Sequence, residues 1–158
     1  MNNSQFSILN SQLNYEALSA LDRLCIGGDG WSAEDFRSEA EKDGGIVLAA
    51  YCGEELAGLI AGFTAADTGE ILTVATAPKY RRQGAAKILM EAFLDAVPDG
   101  VETIALEVRQ SNTPAIALYE CCGFEMAGVR KRFYREPVED ANVMVLNRRG
   151  AQCAPVNA

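Results

Sequence analysis

The sequence predicts an α/β or α+β domain built on a mixed sheet, and three observations point to it. Strand-type segments cluster over residues 46–77, helical and strand patterns alternate from residue 84 onward, and 158 residues suit one domain with its own core better than two. The element order read this way is ααβββαβαββ, with one further strand expected near residues 6–9.

The first helix is expected over residues 14–25, where Leu13, Ala17, Leu18, Leu21 and Leu24 recur at helical spacing until Gly27-Gly28-Asp29-Gly30 breaks the pattern. A second helix follows Ser32, a capping residue, with Asp35 three residues on as a weaker form of the capping box and Trp31 placed to staple the entry. Residues 46–52 and 56–64 read as strands joined by the tight Gly53-Glu54 turn, and residues 70–77 as a third strand that Pro78 ends. Over residues 84–97, Ala85, Ile88, Leu89, Ala92, Phe93 and Ala96 give a helix one face toward a core, and Pro98-Asp99-Gly100 closes it.

A strand over residues 103–110 alternates Ile104, Leu106 and Val108 with Ala105, Glu107 and Arg109. Asn112-Thr113-Pro114 then opens a helix, with Asn112 as cap and the proline in the first turn, where its missing N–H does no harm. It stops at Gly123. The last strands are expected over residues 125–132 and 142–146, with Phe133 and Tyr134 in the turn region between them. A single domain over residues 1–147 and a flexible polar tail over 148–158 complete the reading.

Charge narrows the function. The formal net charge is −8, split between 3 basic and 12 acidic residues in 1–78 and 11 basic and 10 acidic in 79–158. An acidic half disfavours direct nucleic-acid binding, which draws most of its affinity from Lys and Arg on phosphates, and suits a cationic acceptor instead. No apolar run is long enough to span a bilayer and the N-terminus lacks the pattern of a secretory signal, so no membrane partner and a cytoplasmic location are expected. Five scattered cysteines without a CxxC pair read as reduced thiols, and with no histidine no metal is expected. A monomer is the expected state.

The stretch RRQGAAKIL at residues 81–89 stands out. Arg81 and Arg82 precede a helix whose positive dipole end favours carboxylates, so their charge is not there for the helix. Gln83, Gly84, Ala85, Ala86 and Lys87 would present main-chain N–H groups with little side chain in the way, which suits a phosphate, and Lys79 adds charge nearby. An ordinary helix start with solvated basic residues is the alternative.

A second motif joins the first. Arg81-x-x-Gly84-x-Ala86 resembles the pyrophosphate loop of the GNAT superfamily of N-acetyltransferases, and Asn112-x-x-Ala115-x-x-Leu118-Tyr119-x-x-x-Gly123-Phe124 is similar to that superfamily's second coenzyme A element. The likeness extends to RimI-type ribosomal-protein-alanine N-acetyltransferases through Trp31-Ser32 with Phe36, residues 106–112, residues 115–120, and residues 130–134 followed by Glu139-Asp140-Ala141. Three features depart from that pattern: a Gly-Asp-Gly loop before Trp31, Ala86 in place of the commoner glycine, and a short segment at residues 135–138.

The resemblance implies the GNAT fold, a central mixed and mostly antiparallel sheet of six to seven strands flanked by four helices, with acetyl-coenzyme A as cosubstrate. It implies that the amides of residues 82–87 hold the pyrophosphate, that the strand edge at Val74, Ala75 and Thr76 pairs with the pantetheine arm, and that the Asn112 side chain touches the cofactor. Glu107 is then the candidate general base, with Glu70 as rival and a solvated strand glutamate as the plain alternative. Tyr119 is the candidate general acid and cofactor contact, or else a packing tyrosine, while Trp31, Phe133 and Tyr134 would wall the acceptor channel. Cys121 and Cys122 lack an activating histidine, so direct transfer in a ternary complex is expected. The implied acceptor is the basic N-terminal peptide of a small-subunit ribosomal protein, with alanine first. A small amine, such as a polyamine or an antibiotic, and a non-catalytic coenzyme A binding module are the competing readings.

Overall fold

The computed structural model describes residues 5–148, so the expected tail lies, Arg148 apart, outside the described residues. Its strands are β1 (Ser7–Leu9), β2 (Gly45–Cys52), β3 (Glu55–Ala65), β4 (Thr68–Thr76), β5 (Thr103–Arg109), β6 (Glu125–Arg135) and β7 (Val138–Asn147), and its helices α1 (Tyr15–Ile26), α2 (Ala33–Glu41), α3 (Ala85–Ala96) and α4 (Thr113–Cys121). The seven strands form one sheet in the order β1-β2-β3-β4-β5-β7-β6. The β1–β2, β2–β3, β5–β7 and β6–β7 pairs are antiparallel and β4–β5 is parallel, the mixed arrangement the sequence predicts. The chain divides into two compact units, one of residues up to Phe63 with Leu72–Val97, the other of Thr64–Ile71 with residues from Pro98.

In the first unit, Leu18, Leu21, Phe36, Val47, Ala49, Leu59, Ala61 and Ala75 form one buried cluster. α1 opens where Asn14 Oδ1 accepts from the Ala17 N–H at 3.0 Å. α2 opens on a full capping box: Asp35 N–H donates to Ser32 Oγ at 3.1 Å and Ser32 N–H to Asp35 Oδ2 at 2.9 Å. The Trp31 and Phe36 ring centroids lie 5.0 Å apart, the staple that sets how the chain enters α2. β2 starts at Gly45, a position closed to any side chain because a Cβ there would lie 1.8 Å from the Glu39 carbonyl oxygen.

A charge sits inside this unit. Asp22, on the same helix face as Leu18 and Leu21, is 1% exposed. It accepts from Thr73 Oγ1 at 2.6 Å and from the Trp31 N–H at 2.8 Å, so one carboxylate ties α1, β4 and the Trp31 loop together. Burial pushes its carboxyl above the ordinary value of 3.8, against those two hydrogen bonds and nearby Arg23, which pull it down. The folded state therefore holds this proton more tightly than the unfolded chain. The corresponding stability is fully present below the unfolded value and is lost as pH rises through the raised folded one.

Asp22→Asn keeps both contacts, since its Oδ1 can accept from Trp31 N–H while its Nδ2 donates to Thr73. It is expected to flatten the fall in stability that sets in as pH rises above the ordinary carboxyl value of 3.8, measured by urea melts, whereas Asp22→Ala strands both donors and costs about 2 kcal/mol. An Asn variant with the wild-type pH profile would exclude Asp22 as the titrating group.

In the second unit, β4 and β5 pair over Thr68–Ile71 and Thr103–Leu106, and Ile104, Leu106 and Val108 face the core while Ala105, Glu107 and Arg109 are half-buried. α4 starts on Asn112, whose Oδ1 accepts from Ala115 N–H at 3.3 Å. The last two strands are longer than the sequence suggests. Tyr134 pairs with Glu139 and Arg135 with Val138, so Phe133 and Tyr134 lie on β6, and the turn is Glu136-Pro137. β6 shows almost no burial pattern, and its main-chain pairing with β7 carries it through the charged run. A bulge lies between Arg130 and Tyr134, where Arg132 adopts φ +52° and its N–H donates to Asp140 Oδ1 at 2.8 Å.

Candidate active site

The first unit holds the phosphate-type loop. Between a short 3₁₀ turn at Pro78–Tyr80 and α3, Arg82 has φ +65° and Gly84 φ +91°. Positive φ on either side of Gln83 makes this a tight, irregular turn of the kind in which successive main-chain N–H groups can converge on an anion. Gly84 then caps α3 with no side-chain hydrogen bond, so the first-turn amides meet no capping oxygen. Ala85 is buried, Ala86 half-buried, and Arg82, Gln83 and Lys87 are exposed. These features fit a phosphate group.

The loop is braced from below. Tyr80, 7% exposed, donates its hydroxyl to Glu55, which also accepts from Lys79 Nζ at 2.9 Å. That bond from Tyr80 holds the Glu55 carboxyl below its usual range and raises the Tyr80 phenol. Lys79 is thus engaged by Glu55. Arg81 donates from Nε to the Thr76 carbonyl at 3.1 Å and from Nη2 to Cys25 Sγ at 3.5 Å, so it ties the loop to the end of β4. Val74 and Thr76 are half-buried and Ala75 faces the core.

The second unit holds the candidate acid and base. Glu107 Oε2 accepts from Arg130 Nε at 2.9 Å, the glutamate side chain 16% exposed and the arginine 57%. Register explains the pairing: Arg130 is opposite Ala141, Ala141 is opposite Arg109, and Glu107 is two residues back on the same face. Glu70 pairs with Ala105 and so lies on that face as well, which keeps it a rival base. Tyr119 is 6% exposed, its ring centroid 6.1 Å from that of Phe124. Burial, with smaller contributions from Tyr134 and Cys122, raises its phenol and keeps it protonated across the physiological range.

Each unit therefore collects its own share of the expected residues: Trp31, Val74, Ala75, Thr76 and residues 81–87 in one, Glu107, Asn112, Tyr119, Phe133 and Tyr134 in the other. Sequence reasoning missed Asp22, Arg130 and the Arg109–Glu139 pair. A signal existed for Asp22, a carboxylate four residues after Leu18 on an apolar stripe. Nothing local marked Arg130, which reaches Glu107 only through the sheet. Cys25, Cys52, Cys121 and Cys122 form no disulfide among the described residues, and Cys153 lies outside them. Among the described residues no group of three or more His, Cys, Asp or Glu is placed to hold a metal ion, and no helix is long and apolar enough to cross a membrane.

The acetyltransferase (GNAT) family model matches residues 14–124. The chain belongs to the acetyltransferase (GNAT) family. As a GNAT chain it is 42% identical over 83 residues to the ribosomal protein bS18-alanine N-acetyltransferase of Escherichia coli, a match that covers 51% of this chain and only 56% of that relative. With the N-alpha-acetyltransferase RimI of Mycobacterium tuberculosis it shares 32% identity over 126 residues, 77% of this chain and 78% of the relative. The crystal structure of the ribosomal-protein-S18-alanine N-acetyltransferase from Escherichia coli superimposes with a TM-score of 0.79 at 29% identity, covering 90% of this chain and 93% of the other.

Proposed function

We propose that this GNAT chain is an acetyl-coenzyme A dependent N-alpha-acetyltransferase that acts on the N-terminal alanine of a small-subunit ribosomal protein, by direct transfer in a ternary complex. The observation that supports it most is the likeness to an N-alpha-acetyltransferase over more than three-quarters of both chains. The acidic N-terminal half, with 12 acidic and 3 basic residues in 1–78, suits a basic peptide.

In this reading the amides of residues 82–87 hold the pyrophosphate, the edge of Val74, Ala75 and Thr76 hydrogen-bonds the pantetheine arm, and Asn112 adds its side-chain N–H, its Oδ1 being engaged as the helix cap. The cosubstrate supplies an acetyl group activated as a thioester. Glu107 takes a proton from the acceptor ammonium through the oxygen that Arg130 does not hold. The freed amine can then form its bond to the acetyl carbon as the carbon–sulfur bond breaks, and Tyr119 gives its phenol proton to the departing thiolate. The nitrogen sheds its excess proton to solvent as it becomes an amide, and solvent reprotonates the Tyr119 phenolate. Trp31, Phe133 and Tyr134 position the peptide.

The test is mass-spectrometric acetylation of a short basic peptide with N-terminal alanine, beside a lysine-only peptide and a polyamine. Mass gain on the alanine amine alone is the expected result. Turnover of the polyamine alone would replace the acceptor, and cofactor binding without any turnover would leave a binding module. Tyr119→Phe is expected to lower kcat on the alanine peptide about 10²-fold with little change in either KM, because only proton delivery is lost. Unchanged kcat would return Tyr119 to packing.

A further inference from the structure

In the second unit Arg109 makes more contacts than a strand-end arginine needs for stability. Its Nη1 donates to the Pro137 carbonyl at 2.9 Å and to Glu139 Oε1 at 3.1 Å, and its Nη2 to the Glu136 carbonyl at 3.3 Å. Its guanidinium carbon lies 4.3 Å from the centre of the Tyr134 ring. Tyr134 in turn meets Phe133 edge-on, centroids 5.0 Å apart. One planar fork thus grips both turn carbonyls of the β6–β7 hairpin and lies over the Tyr134 ring, which Phe133 meets edge-on.

Glu139 completes the clasp. Its Oε2 accepts from Ser111 N–H at 2.7 Å, directly before the Asn112 cap, and the Ser111 side chain first, then that N–H and Arg109, hold its carboxyl below the usual range against burial. The Arg109 and Glu139 side chains are only 17% and 21% exposed, so the pair is shielded as most surface ion pairs are not. Phe133 is left 45% exposed, just past the Arg132 bulge and without a burial role that would explain a large aromatic there.

We infer that Arg109 is a positioning residue for the acceptor, setting Tyr134 and Phe133 through the Glu136-Pro137 turn and thereby the fit of the peptide. The inference rests on the acetyltransferase reading above. A lysine cannot substitute, since it is a point charge with neither the fork for two carbonyls nor a flat face for the ring.

The experiment is steady-state kinetics of Arg109→Lys and Arg109→Gln with the alanine peptide and acetyl-coenzyme A varied in turn. The lysine variant keeps a cation opposite Glu139 and so protects the fold if the glutamine variant does not survive. The expected result is an acceptor KM raised about tenfold with the acetyl-coenzyme A KM within about twofold of wild type. Tyr134→Ala should raise acceptor KM similarly, and combining it with Arg109→Lys should add little further. An unchanged acceptor KM in the lysine variant overturns the inference, as does a change confined to Tm or shared by both KM values, or two substitutions whose effects multiply. If wild type itself turns over no acceptor, the acetyltransferase reading fails and this inference with it.

Discussion

Glu107→Gln is expected to lower kcat for the alanine peptide by about 10²- to 10³-fold near neutral pH, within the usual range for a lost general base. The competing cause is loss of the Arg130 pair. That pair has an arginine 57% exposed, and an ion pair of that kind is worth at most about 1 kcal/mol, whereas a hundredfold fall in kcat is about 2.7 kcal/mol. Lost pairing is therefore too small to mimic lost chemistry. The pH dependence separates them further. An α-amino group titrates near about 7.7–8.0, so above that range the acceptor is already neutral and the deficit should shrink by about pH 9. A deficit independent of pH would point to misplaced substrate, and a fall of less than about threefold would pass the role to Glu70, to be checked with Glu70→Gln.

Gly84→Val should weaken acetyl-coenzyme A binding by at least about thirtyfold, measured by calorimetry on the folded variant. At φ +91° any L-residue is strained by about 1–2 kcal/mol, and a β-branched one more, so the turn either straightens or keeps its shape with a side chain among the amides. Either way the phosphate loses several hydrogen bonds at once. Lys87→Ala removes one exposed point charge and should cost less than about fivefold. Wild-type affinity in Gly84→Val would remove the cradle from cofactor binding.

Much of the architecture was legible because local signals agreed with one another. Ser32, Asp35 and Trp31 announced α2, the Gly53-Glu54 turn joined β2 to β3, and the apolar face of residues 85–96 fixed α3, each within a residue or two of its observed bounds. β6 was under-read for a physical reason. An edge strand exposed on nearly every residue has no alternation to display, and Phe133 and Tyr134, which follow the run Arg130-Lys131-Arg132, look like a turn until the β7 partner is known. The candidate site divides along the same line. Gly84 and Asn112 could be read from neighbouring residues, whereas the partners of Glu107 and Arg109 lie 23 and 30 positions away and become visible only through strand register.

The loop between Tyr80 and α3 has a longer-term consequence. What it offers a ligand comes from the polypeptide backbone, common to every residue except proline, so its recognition is written in dihedral angles rather than in side-chain chemistry. Substitutions at Gln83, Ala86 or Lys87 would leave that backbone shape largely intact, while Arg82 and Gly84, held at positive φ, are the positions where a change is costly. In the proposed reading, cofactor recognition is thus carried by a shape, whereas fit to the acceptor would rest on side chains at the aromatic end of the β6–β7 hairpin.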